Sequence, residues 1–125
     1  MTENEIAKIL VDIFYKMHVQ LGPGLLESVY EEVLCYELTK LDISYTRQQG
    51  IPVVYEDVKL DLGFRADVIV ENKVVVELKS AEDVAPVHKK RLLTYLRLTD
   101  IRLGLLVNFN VNLIKDGITR IANNL

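Results

Sequence analysis

The sequence predicts a mixed α/β fold, a sheet with helices packed against it. Three observations predict it: helical periodicity through the first forty residues, strand-like patterning from Ile51, and an apolar LGLLVN segment after one more helix. Helices, then strands, then a helix and a strand is the order of a mixed sheet covered by helices.

The first helix runs from about Glu3 to Gln20, where Ile6, Ile9, Leu10, Ile13, Phe14 and Met17 recur at three- and four-residue steps. Thr2 is suited to the N-cap and Glu5, three residues on, to its capping-box partner. Gly22-Pro23-Gly24 ends this helix and permits a tight reversal. A second helix, from about Leu25 to Lys40, carries an apolar stripe of Leu26, Tyr30, Val33, Leu34, Leu38 and Leu41. Ile51–Tyr55, Leu60–Val70 and Val74–Lys79 then read as an antiparallel run, turning near Glu56-Asp57 and Glu71-Asn72-Lys73. Pro86 precedes a third helix, about Val87 to Leu98. Leu103–Asn108 is a short buried strand, and Asn110–Leu113 either continues it or starts another.

A chain of 125 residues fits one domain, 1–125, with no internal repeat or linker-like segment. Half the residues are hydrophobic and 26% are charged, which argues against extended disorder. The first ten residues carry Glu3, Glu5 and Lys8 and lack a signal-peptide layout. No apolar run approaches the roughly 18 to 20 residues that span a bilayer, so no membrane partner is expected. The single Cys35 suits a reducing cytoplasm, and one Cys with two His argues against structural zinc. A net charge of −3 is the wrong sign for gripping nucleic acid with the whole surface. Nucleic-acid binding would need a local basic patch, or metal ions that reverse the charge of an acidic pocket.

Such a pocket is suggested by Phe64 to Lys79, FRADVIVENKVVVELK, where Asp67, Glu77 and Lys79 interrupt strands rich in Val, Ile and Leu. Glu77 and Lys79 are two apart and share one side of the sheet. With a three-residue loop at Glu71-Asn72-Lys73, Val70 opposes Val74 and Asp67 falls across from Glu77. A two-residue loop would turn Asp67 to the other face. Adjacent carboxylates repel unless a cation or proton intervenes, and burying them costs several kcal/mol, roughly, without one. Metal-assisted phosphodiester hydrolysis needs this arrangement: paired acids hold a hard cation such as Mg²⁺, and a lysine orients water or offsets charge. The same spacing also fits a structural ion pair near a sheet edge. At about 100° per residue Glu27 lies on the flank of its helix's apolar face. It can reach the site, or it can simply complement the helix dipole. Glu37 falls on that face as well.

Gly24, Glu27 and Tyr30, within LGPGLLESVYEEVL, resemble the GxxExxY family, a branch of the PD-(D/E)XK nuclease superfamily. The likeness extends over FRADVIV…VVVELKS, VHKKRLLTYLRLTD and LGLLVNFN, nearly the whole chain. It implies a restriction-endonuclease-like core with a mixed sheet flanked by helices. It also implies that Asp67, Glu77, the Leu78 main-chain carbonyl and Glu27 bind Mg²⁺ or Mn²⁺, with Lys79 as the catalytic lysine. The family's third helix usually carries glutamine four residues before its tyrosine. Here Arg91 stands at that place and Tyr95 is retained. An arginine can contact phosphate, but the glutamine's water- or base-positioning role is left open.

Lys89, Lys90 and Arg91 form the concentrated basic stretch, where a phosphate backbone would approach or where a helix simply meets solvent. His88 suits either a proton shuttle or the surface. Cys35 lies off the apolar stripe and reads as an inert thiol. The leading expectation is a Mg²⁺- or Mn²⁺-dependent nuclease acting on DNA, or on RNA. The alternatives are a non-catalytic module that binds nucleic acid or protein, and a homodimer whose partner copy supplies basic surface.

Overall fold

In α1 (Glu3–Leu21) Thr2 Oγ1 accepts from the Glu5 N–H at 3.2 Å, while Glu5 Oε1 accepts from the Thr2 N–H at 3.1 Å. These bonds complete the expected capping box. The far end stops at Gly22, whose φ of 71° belongs to glycine and whose N–H bonds back to His18. The computed structural model describes the backbone of residues 1–125 and every side chain except that of Leu62. Among these residues no helix is long and apolar enough to cross a membrane.

Helix α2 (Glu27–Lys40) begins two residues later than its periodicity suggests. The Tyr30 hydroxyl explains the reversal before it: it donates to the Gly22 carbonyl at 2.7 Å and accepts from the Leu25 N–H at 3.2 Å. Tyr30 also stacks on Phe109 with ring centroids 4.2 Å apart, so it is a core residue that fixes where α2 starts. The expected stripe needs correction, because Leu26 and Leu41 are exposed. The buried side is Tyr30, Glu31, Leu34, Cys35, Glu37 and Leu38. Two acids can be turned inward because both are paired: Glu37 with Lys16 and Lys40, Glu31 with Arg47. Cys35 is therefore in the core, contrary to its expected place off the apolar face, and burial pushes its thiol up to about 11. It is inert for that reason.

The strands β1 (Tyr45–Tyr55), β2 (Val58–Val70), β3 (Val74–Lys79), β4 (Leu103–Asn108) and β5 (Ile118–Ala122) form one sheet in chain order. All neighbours are antiparallel except β3 and β4, which are parallel and joined through α3 (Pro86–Thr99). The three-residue loop is present, with Val70 opposite Val74. Glu71 and Asn72 both adopt positive φ within it. Two strands differ from expectation. β1 begins six residues before Ile51, because an edge strand with mostly exposed residues shows no apolar alternation. Asn110–Leu113 is not a strand; a 3₁₀ turn at Ile114–Gly117 leads instead into β5, the other edge.

The sheet separates two apolar layers. On one side Val68, Val76, Leu78 and Val107 pack beneath α1 and α2. On the other, Ile69, Val75 and Leu106 pack beneath Leu92, Tyr95 and Leu96 of α3. Gly104 allows that approach: a Cβ there would lie 3.0 Å from Leu92.

Candidate metal centre

The β2–β3 ladder pairs Val70–Val74, Ile69–Val75 and Val68–Val76, and then stops, although both strands continue. One step further the register sets Asp67 across from Glu77. There the side chains take over the bonding. Asp67 Oδ2 accepts from the Leu78 N–H at 2.8 Å, and Glu77 Oε1 accepts from the Asp67 N–H at 3.3 Å. The two carboxylates thus close a fork between strands and satisfy main-chain donors that the parting ladder would orphan.

This position has an electrostatic cost. Glu77 is only 5% exposed, and burial, reinforced by the neighbouring Asp67 charge, pushes its carboxyl up to about 9. Burial also raises Asp67, against the pull of its bonds from Leu78 and Gln48. Among the described residues no lysine or arginine lies within 4.0 Å of either carboxylate. The structural ion pair allowed by the spacing is therefore not what the fold builds. Two hard oxygen donors with no paired cation suit a divalent metal such as Mg²⁺ or Mn²⁺. Among the described residues no three His, Cys, Asp or Glu side chains gather into an ion cage. The fit is thus to an open site of two acids, with other positions left to main chain, water and substrate.

Lys79, half-buried, follows Glu77 on β3 and faces α3 with it. Both line a shallow cleft with His88, Arg91 and Tyr95. Tyr95 is anchored by stacking on Phe64 at an interplanar angle of 11°, and burial raises its hydroxyl to about 12. His88 is lowered by burial and then by the positive charges of Lys79 and Arg91. Lys89 and Lys90 are exposed and do not line this cleft, so the basic run is divided by helical geometry. Glu27 is exposed in the first turn of α2, and its Oε2 accepts from the Ser80 N–H at 3.2 Å, one residue past Lys79. Asn108, buried at the end of β4, holds Ala81 by both its N–H and its carbonyl, at 3.1 and 2.8 Å. The chain leaving Lys79 is thereby fixed.

Residue-by-residue reading of the sequence missed three members of this neighbourhood. Gln48, on the polar half of β1, reaches Asp67 directly, and Glu31 of α2, itself held by Arg47, anchors Gln48. The i, i+4 spacing of Glu27 and Glu31 is a signal for Glu31; Arg47 and Gln48 carry none. The 88–91–95 helical spacing turns His88 to the cleft beside Arg91 and Tyr95.

A mixed sheet between helices, forked at a pair of acids with a lysine beside them, is the restriction-endonuclease-like α/β architecture. The chain belongs to the PD-(D/E)XK nuclease superfamily, whose family model matches residues 4–121. Searches of curated proteins and of solved structures gave no match.

Proposed function

We propose that this chain is a Mg²⁺- or Mn²⁺-dependent nuclease of the GxxExxY branch that hydrolyses phosphodiester bonds in DNA. The observation that carries the reading is the pair of carboxylates closing the β2–β3 fork, one of them buried, with no paired cation. In this reading Asp67, Glu77 and the Leu78 main-chain carbonyl hold the ion, and Glu27 extends the acidic wall from α2. The ion supplies an acidified water and polarisation of the phosphoryl group. Lys79 donates from Nζ to orient the attacking water and to offset charge on the phosphoryl oxygens as the bond breaks. Arg91, on the cleft wall, contacts the phosphate that the acids alone would repel, and Tyr95 holds that wall in place. Lys89 and Lys90 add long-range attraction for the polyanion, which makes binding salt-dependent.

The chain's acidic balance favours one competing reading, a non-catalytic module that retains the fold and binds nucleic acid or protein. Melting with and without Mn²⁺ separates the readings at the first step. At a hundredfold excess over Kd, a bound ion stabilises the native state by about 2.7 kcal/mol. The wild type should show such a Mn²⁺-dependent rise in Tm, and Asp67→Asn and Glu77→Gln proteins should not. A wild-type Tm indifferent to Mn²⁺ would overturn the proposal and favour the inert module.

A further inference from the structure

Gln48 sits within β1, yet its φ is 50°, a left-handed conformation disfavoured for any residue with a Cβ. Its neighbours keep the ladder, Arg47 opposite Val68 and Gln49 opposite Ala66, so the departure is confined to one residue and leaves the register intact. Its consequence is where the side chain goes. Gln48 Nε2 donates to Glu31 Oε1 at 2.6 Å and to Asp67 Oδ1 at 3.2 Å. Both acceptors are carboxylates, so only the amide nitrogen can occupy that place.

The anchor on the far side is built. The buried Glu31 receives two bonds at Oε2 from Arg47, from Nε at 3.2 Å and Nη2 at 2.8 Å. Arg65 Nη1 holds the Gln48 carbonyl at 3.0 Å. Asp67 is consequently fixed at both oxygens, Oδ2 by the backbone of β3 and Oδ1 by Gln48. A lysine at position 48 would orient Asp67 equally well but would neutralise it and compete with a cation. A neutral amide orients without competing.

We infer that Gln48 is a positioning residue that sets the Asp67 carboxylate for a divalent cation, with the Glu31–Arg47 pair as its anchor. The inference rests on the reading of Asp67 as a metal ligand. Outer-sphere partners of this kind are worth about 10- to 100-fold in metal affinity.

The test is Mn²⁺ titration calorimetry alongside metal-free melting, on wild type, Gln48→Gly, Gln48→Asn and Glu31→Ala. Glycine relieves the positive φ, and asparagine tolerates it while its amide falls one methylene short. A merely structural Gln48 would lose nothing in Mn²⁺ affinity when replaced by glycine. A positioning Gln48 gives opposite signs: metal-free Tm equal or higher, and Mn²⁺ Kd weakened about tenfold or more in both variants. Glu31→Ala should weaken Mn²⁺ similarly, and adding Gln48→Gly to it should cost little more, because both act through one chain of contacts. Wild-type affinity in Gln48→Gly and Gln48→Asn would overturn this inference alone. Absence of Mn²⁺ binding to the wild type would overturn it together with the metal-site reading beneath it.

Discussion

Replacing Lys79 by Met is expected to lower Mn²⁺-dependent cleavage by about 10²- to 10³-fold, the size of losing one preorganised stabiliser of transition-state charge. Methionine keeps much of the half-buried aliphatic stem, so the loss should fall on rate and not on folding. Lys79 makes no ion pair among the described residues, and no lysine or arginine among them lies within 4.0 Å of the Glu77 carboxylate. The ammonium is thus free to act on substrate and water, at the mouth of a cleft that also presents Arg91. Asp67→Asn should be at least as damaging, through loss of the ion. Initial rates at saturating Mn²⁺ on single-, double- and branched-strand DNA, and on RNA, measure both effects and the substrate preference together. Cleavage by Lys79→Met within threefold of wild type would remove the lysine from the proposed chemistry.

The second large effect concerns the metal-free protein. The Glu77 carboxyl stands near 9 in the fold against an ordinary 4.5, raised by burial and by Asp67. The native state therefore binds this proton more tightly than the unfolded chain does. The resulting stability is fully present below about pH 4.5 and is lost as pH rises towards and through 9. Metal-free Tm should accordingly fall between pH 5 and pH 9. Glu77→Gln mimics the protonated acid: its carbonyl can accept from the Asp67 N–H, and its amide can donate to the Asp67 carboxylate. That variant should flatten the profile and, near pH 7.5, exceed the wild type by on the order of 2–4 kcal/mol. Mn²⁺ should rescue the wild type at high pH and leave the variant unmoved. A wild-type profile that is flat without metal would mean that Glu77 is ionised and compensated in some other way.

Both effects depend on a feature legible in the sequence. The period-two pattern of VVVELK sets Glu77 and Lys79 on one face, and Asp67 falls across from Glu77 because the ENK turn is the three-residue loop and not the two-residue alternative. Apolar central strands are legible because burial on both faces leaves a continuous hydrophobic run, and β3 and β4 end where that run ends. Edge strands obey no such constraint. β1 is polar over Thr46–Gln49, so only its Ile51–Tyr55 half is legible, and β5, five residues long, is not. The acids of α2 were harder still. Glu31 and Glu37 are buried by pairing with Arg47 and Lys16, which are 16 and 21 residues away in the chain. Helical periodicity cannot anticipate a long-range partner, and Leu26 and Leu41 are exposed because they stand outside the helix, at its N-cap and its C-cap. Gln48 was invisible for a related reason: its role follows from a backbone angle and a contact to Asp67, not from its residue type.

The most direct test of the central claim is a crystal soaked in Mn²⁺ and measured for anomalous scattering. The account predicts a peak in the β2–β3 fork within about 2.0–2.3 Å of an Asp67 oxygen, a Glu77 oxygen and the Leu78 carbonyl, distances usual for hard cations and oxygen ligands. Lys79 Nζ should remain outside that coordination sphere. An empty fork, with Lys79 bridging Asp67 and Glu77 in place of the ion, would contradict it.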